Sequence, residues 1–208
     1  MDAVHEEEYK GYTIRIHADE DPENPRTAWG EQFGTMVCFH GRYDLGDQKT
    51  GYTQDQQGSW QELADRLVED GAAVILPLYL YDHSGITMST GKFSCPWDSG
   101  QVGFIFVSRA KILKEFGGMR VTKEMLAKAE TLLQGEVETY DTYLRGNIYG
   151  YTIEDPEGGD GDSCGGFFGY YDEEGGALTE AKSIVDHEVA EAFTKQFNAS
   201  MVLTGMEE

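Results

Sequence analysis

Long hydrophobic runs are missing from this 208-residue chain. The longest, from Ala72 to Leu80, is interrupted by Pro77. It falls well short of the roughly 20 apolar residues that span a bilayer, so no membrane role is expected. Cysteine is scarce. Cys38, Cys95 and Cys164 are odd in number, widely spaced and form no CxxC pair, which excludes a finger-type zinc site. In a reducing compartment such thiols serve as small buried hydrophobes. The opening residues, MDAVHEEEYK, hold no basic start followed by an apolar segment, so no secretion signal is read and a cytoplasmic location is expected. Positive charge is also short: 16 Lys and Arg stand against 38 Asp and Glu, a net −22. Affinity for a phosphate backbone comes from clustered Lys and Arg, so direct nucleic-acid binding is not expected. No HExxH, GxSxG, P-loop or GxGxxG-to-helix pattern occurs. The Gly-rich stretch GGDGDSCGG lacks the lysine and the strand–turn–helix setting of a phosphate cradle.

Aromatic residues, at 12%, are abundant enough for a substantial core. Residues 9–17 alternate polar and apolar and read as a strand; residues 34–40, 73–81, 101–107, 148–154 and 166–171 read as further strands. Pro77 inside the third of these removes a ladder donor and marks an edge or a bulge. Ser59 with Glu62 forms a capping box for a helix to about Asp70, with Gly71 ending it. Trp60, Leu63, Leu67 and Val68 would share its buried face. Ser108 starts a helix to about Phe116. Thr122 caps another through Leu126, Ala129, Leu132 and Leu133, with Gly135 a candidate stop. A last helix covers about 179–197, with Ile184, Val185, Ala192 and Phe193 near one face. Residues 18–26, 41–58 and 154–165 read as loops. Strands and helices do not alternate regularly. The expected fold is therefore α+β, a mixed, mainly antiparallel sheet packed with three to four helices, in a single domain over 1–208 with an acidic helix and tail from about 172.

The charge is unevenly placed. Residues 154–208 hold 14 acids against Lys182 and Lys195, a net −12, and the stretch to Glu23 adds eight more acids. Residues 109–128 carry six bases against Glu115 and Glu124, a net +4. A high-salt habitat, imitation of a polyanion and cation binding would each account for the acidity. Segregation along the chain favours an acidic face directed at a partner, made of Asp172, Glu173, Glu174, Glu180, Asp186, Glu188 and Glu191; the competing interpretation is a solvated face with an acidic tail.

One polar constellation stands out. Asp82 and His83 end one apolar strand, and Asp98, Ser99 and Gln101 open the next. If the two strands pair, these residues converge at one end of a sheet. His83 then offers a base, the carboxylates could orient it, and Asp82, His83 and Asp98 together could hold one divalent metal ion. His40, Arg42, Asp44 and Asp47 follow the second strand and are placed to join. The alternative is that these side chains cap turns through bonds to backbone. The turn 155–162 has a calcium-like flavour without the EF-hand spacing. Glu136, Glu138 and Asp141 oppose the macrodipole if they lie near the end of the helix begun at Thr122.

The segments DEDPENPRTAWGEQFGTMVCFHGRYDLGD, LPLYLYDHSGITMSTGKFSCPWDSGQVGFIFVS, GEVETYDTYLRGNIYGY and DSCGGFFGYY together resemble a family of proteins of bacteriophages, plasmids and archaeal mobile elements that carries no assigned activity. The resemblance covers most of residues 9–171. It directs attention to the polar positions His40, Arg42, Tyr43, Asp47, Asp82, His83, Asp98, Ser99, Gln101, Tyr140 and Asp141. It implies the setting of a mobile genetic element in a host cell, where small acidic accessory proteins block host defence. The first expectation is accordingly an inhibitor of a basic host protein that handles nucleic acid, without turnover. The second is a metal-dependent hydrolase or metal-binding protein at Asp82, His83 and Asp98.

Overall fold

The computed structural model describes residues 2–53 and 58–204. Gln54 to Gln57 of the expected loop, and Glu207 and Glu208 of the acidic tail, lie outside the described residues. The fold is α+β, with four helices and two four-stranded antiparallel sheets among the described residues. The chain forms two compact units, one of residues 1–22 with 146–208 and one of residues 23–145.

In unit 1 the strands β1 (His5–Tyr9), β2 (Tyr12–Ala18), β7 (Ile148–Glu154) and β8 (Asp160–Phe168) lie in the order β1-β2-β7-β8. The single strand expected over 9–17 is in fact the end of a hairpin. Lys10 and Gly11 both take positive φ, 52° and 87°, as a two-residue turn matched to the strand twist requires. The strand expected at 166 starts at Asp160, because Asp155 tightens the preceding turn by accepting from the N–H groups of Glu157 and Gly159, each at 2.8 Å. One sheet face is apolar. Ile14, Ile16, Tyr151 and Ile153 meet Ala177, Leu178, Ala181 and Val185 of α4 (Ala177–Thr204). The other face is polar: Thr13, Arg15 and His17 stand across from Glu154, Thr152 and Gly150. The edge strands β1 and β8 carry Glu6, Glu7, Glu8, Asp160 and Asp162. Phe193 is 69% exposed, so the buried stripe of α4 ends before the position expected for it.

In unit 2 the order is β3-β6-β4-β5, with β3 (Thr35–Cys38), β4 (Ala72–Asp82), β5 (Ile86–Ser89) and β6 (Ser99–Ser108). Both sheet faces are covered, which explains why β4 and β6 are apolar along nearly their whole length. On one face Val37, Phe104 and Ala72 pack with Leu63 and Leu67 of α1 (Trp60–Glu69). On the other, Met36, Leu78, Leu80, Ile105 and Val107 pack with Ile112 of α2 (Arg109–Phe116) and Ala129, Leu133, Val137 and Tyr140 of α3 (Lys123–Leu144). Burying each such side chain contributes about 1.5–3 kcal/mol. The caps Ser59, Ser108 and Thr122 all accept the backbone N–H three residues on. Val68 and Leu132, expected inside, are exposed, one step off their buried stripes. β5 pairs with β4 only over Tyr79–Asp82, so Pro77 sits where β4 has an edge.

α3 does not stop at Gly135 but continues to Leu144. A glycine inside a helix costs about 1 kcal/mol, less than burial of Val137 and Tyr140 beyond it returns. Glu136 is thus a mid-helix residue, and the macrodipole argument does not apply to it.

Candidate functional site

β6 runs antiparallel to both β3 and β4, so the end of β3, the end of β4 and the start of β6 meet at one end of the unit 2 sheet. They enclose a cleft of about 400 Å³, lined among others by His40, Arg42, Asp82, Trp97, Asp98, Ser99 and Gln101. A register shift at Leu78/Tyr79 leaves Val102 as an extra residue of β6, and Val102 lines the cleft beside Gln101. The backbone N–H of Asp82 donates to the Asp98 carbonyl at 2.8 Å, which ties the two walls together.

The Arg42 guanidinium donates to the Asp82 carboxylate. It lies 5.5 Å from the centre of the Tyr43 ring, whose hydroxyl donates to the other Asp82 oxygen at 3.4 Å. The His40 ring stacks on Tyr43 at 5.1 Å between centres, and its Nδ1 accepts the Arg42 backbone N–H at 3.3 Å. Asp98 accepts from the Cys95 thiol at 3.5 Å. Ser99 donates to the Cys95 carbonyl at 2.5 Å, which removes it as an activated nucleophile. Gln101 donates to the Gly103 carbonyl at 3.3 Å. Trp97 stands at the cleft rim, 91% exposed.

Four of the expected residues belong elsewhere. The exposed imidazole of His83 stacks on Tyr81 at 6.1 Å and does not line the cleft. Asp141 accepts the Met88 N–H at 2.7 Å within β5; burial raises its pKa. Tyr140 is core, with its hydroxyl accepting the Gly46 N–H at 3.1 Å, and burial pushes its phenol up to about 12. Asp47 binds Arg26. As to a metal at Asp82, His83 and Asp98, each of the three side chains is directed to a different partner. Among the described residues no three His, Cys, Asp or Glu side chains are grouped to hold one ion.

Arg26 belongs to no motif in the sequence, yet it sits at the centre of a buried polar network. Its side chain is 1% exposed. Nε and Nη2 donate in a fork to Asp47 at 2.8 and 3.0 Å, Nη1 to Glu136 at 2.9 Å, and Nη2 also to the Gly34 carbonyl at 2.9 Å. Asp47 further accepts the Met36 N–H, and Glu136 those of Phe33 and Gly34. Desolvation alone would depress the Arg26 pKa, but Asp47 and Glu136 outweigh it and the pKa is raised. A Cβ on Gly34 would overlap Leu133 and crowd Ile105, so only glycine allows α3 this close. The sequence signal was a single base in the acidic, Pro-rich segment ADEDPENPR. Every charge in the network is matched by a bond, which marks it as architecture rather than chemistry.

The acidic residues of unit 1 form a second candidate surface. The unit holds 21 of the 38 acids and four of the 16 bases, a net −17, which leaves unit 2 with −5. All four bases are committed: Lys10 to Asp186, Arg15 to Glu6 and Glu154, Lys182 to Glu7, and Lys195 to Glu191. Within the expected face, Glu173 accepts the Tyr170 N–H and shapes a turn. Asp172, Glu174 and Glu180 are exposed and enter no ion pair among the described residues. No helix among the described residues is long and apolar enough to cross a membrane. Comparison with known proteins finds no matching family model, no matching curated protein and no matching solved structure.

Proposed function

We propose that this chain is an acidic accessory protein of a mobile genetic element, one that binds a basic host protein of the defence type and inhibits it by presenting carboxylates where that protein takes phosphates. The observation that carries the reading is the concentration of charge: −17 in unit 1, with every base there already paired and Asp172, Glu174 and Glu180 facing solvent. A nucleic-acid-handling protein offers a groove of Lys and Arg, and a surface of this sign is drawn to it over long range. The mobile-element setting is what the family resemblance supports. No turnover, membrane or direct contact with nucleic acid enters the reading.

The test neutralises charge without touching the core. Asp172→Asn, Glu174→Gln, Glu180→Gln and Glu191→Gln are combined, and binding to a basic nucleic-acid-binding protein of the host is measured by calorimetry at low and moderate salt. The parent should bind, weaken steeply with salt and compete with duplex DNA. The variant should lose roughly tenfold or more, since each screened charge pair at an interface rim is worth about 0.2–1 kcal/mol. A variant that binds as well as the parent at low salt would sink the reading.

A further inference from the structure

The end of the unit 2 sheet pairs a carboxylate with an aromatic ring twice. In the first pair Asp82 holds the guanidinium of Arg42, which lies 5.5 Å from the centre of the Tyr43 ring. In the second, Asp98 and Trp97 line the same cleft of about 400 Å³. There the Asp98 carboxylate has one partner among the described residues, the Cys95 thiol at 3.5 Å. A thiol is a weak donor, so this half-buried carboxylate, which lines the cleft, keeps most of its acceptor capacity. Trp97 presents its ring at the rim.

We propose that this cleft binds a guanidinium group, with the planar cation stacked on Trp97 and donating a forked pair of N–H bonds to Asp98. The first pair shows the two partners within the chain itself: Arg42 Nη2 donates to the Asp82 carboxylate, and the guanidinium carbon lies 5.5 Å from the centre of the Tyr43 ring. A guanidinium suits this arrangement better than an ammonium, because it is flat, forked and more weakly hydrated. The net charge of −22 draws cations to the molecule. An anion would meet the carboxylates of Asp82 and Asp98 in the same cleft, and a neutral sugar gains nothing from the Asp98 charge. The guanidinium can arrive on a small molecule or on an arginine side chain of a peptide. This inference stands apart from the acidic face of unit 1, and neither depends on the other.

The intact chain is titrated with butylguanidine and, separately, with the blocked tripeptide Gly-Arg-Gly, by calorimetry and by tryptophan fluorescence at moderate salt. Inorganic phosphate and glucose serve as controls. One-to-one saturable binding of butylguanidine is expected. It should weaken roughly tenfold or more in Asp98→Asn, the scale of a lost charge-assisted bond, and to a similar degree in Trp97→Ala, with Trp97→Phe recovering part. The variant neutralised at 172, 174, 180 and 191 should bind as the parent does. Tighter binding of the tripeptide would identify a peptide arginine as the source, and equal or weaker binding a small guanidine. The proposal is overturned if butylguanidine does not saturate, if Asp98→Asn and Trp97→Ala, shown folded by their thermal melts, bind as the parent does, or if phosphate or glucose binds in its place.

Discussion

In unit 2 the best-made ion pairs are inside; in unit 1 they lie on the surface. Arg26 is sealed among Asp47, Glu136 and the Gly34 carbonyl, and it fastens a loop, a strand end and a helix to one another. In unit 1 the pairs of Lys10 with Asp186 and Lys182 with Glu7 sit on partly exposed side chains, around an apolar core that contains no charge. The difference teaches that the same residue types do unlike work at different depths. Burial makes a charge pair specify geometry, because each group left alone would be costly. Exposure leaves carboxylates available to something outside the chain.

The sharpest way to break this comparison is to delete one cation from each unit. Arg26→Ala should lower stability by about 3–5 kcal/mol, since it strands two carboxylates. Lys10→Ala should leave stability almost unchanged, because an exposed pair gains little over its hydrated partners. Urea denaturation of the two variants measures both, and equal losses would show that depth does not govern the pairs. Next in size, Leu133→Ala should cost about 2–5 kcal/mol through the cavity it leaves, with protection from hydrogen exchange lost in α3 and β6 rather than in α4. Smaller again is the response to salt. Raising ionic strength screens self-repulsion, so exchange protection should rise in unit 1, at −17, and barely change in unit 2, at −5. A uniform rise would mean that the segregation has no energetic effect.

Alkaline pH gives the smallest effect and tests what the units share. Burial pushes Cys38 and Tyr140 in unit 2, and Tyr151 in unit 1, up to about 12 from ordinary values of 9.0 and 10.0. Between those values the folded chain holds protons that the unfolded chain has released, so stability is full below about pH 9 and falls as pH rises towards 12. Tyr140→Phe should flatten that fall when urea midpoints at about pH 8 and pH 10.5 are compared. It should also cost about 1 kcal/mol at neutral pH for the lost bond to Gly46.

Much of unit 2 was legible from the sequence. The three caps at Ser59, Ser108 and Thr122 are local signals with local causes, and the structure forms helices from each. Continuous apolar runs marked β4 and β6, which are covered on both faces. What was illegible was decided at a distance. β5 has only four residues, ITMS, too few for a period, and it exists because β4 and Asp141 bind it. Gly135 reads as a stop, yet packing carries α3 through it. β8, DGDSCGGFF, has poor strand propensity, and pairing with β7 imposes its conformation. The candidate site divides along the same line. The residues at the three strand ends come together because antiparallel order dictates it. Asp47, Tyr140 and Asp141 were drawn off by partners far along the chain, Arg26, Gly46 and Met88, that no local pattern announces.

The two edge strands of unit 1 have a consequence of their own. A sheet edge is a template, and a second copy can add to it strand upon strand until a fibre grows. Here β1 displays Glu6, Glu7 and Glu8, and β8 displays Asp160 and Asp162, so each edge repels its own image. That guard is electrical and therefore has a switch. Dissolved salt shortens the reach of that repulsion, so concentrated salt rather than heat becomes the condition that invites this chain to polymerise.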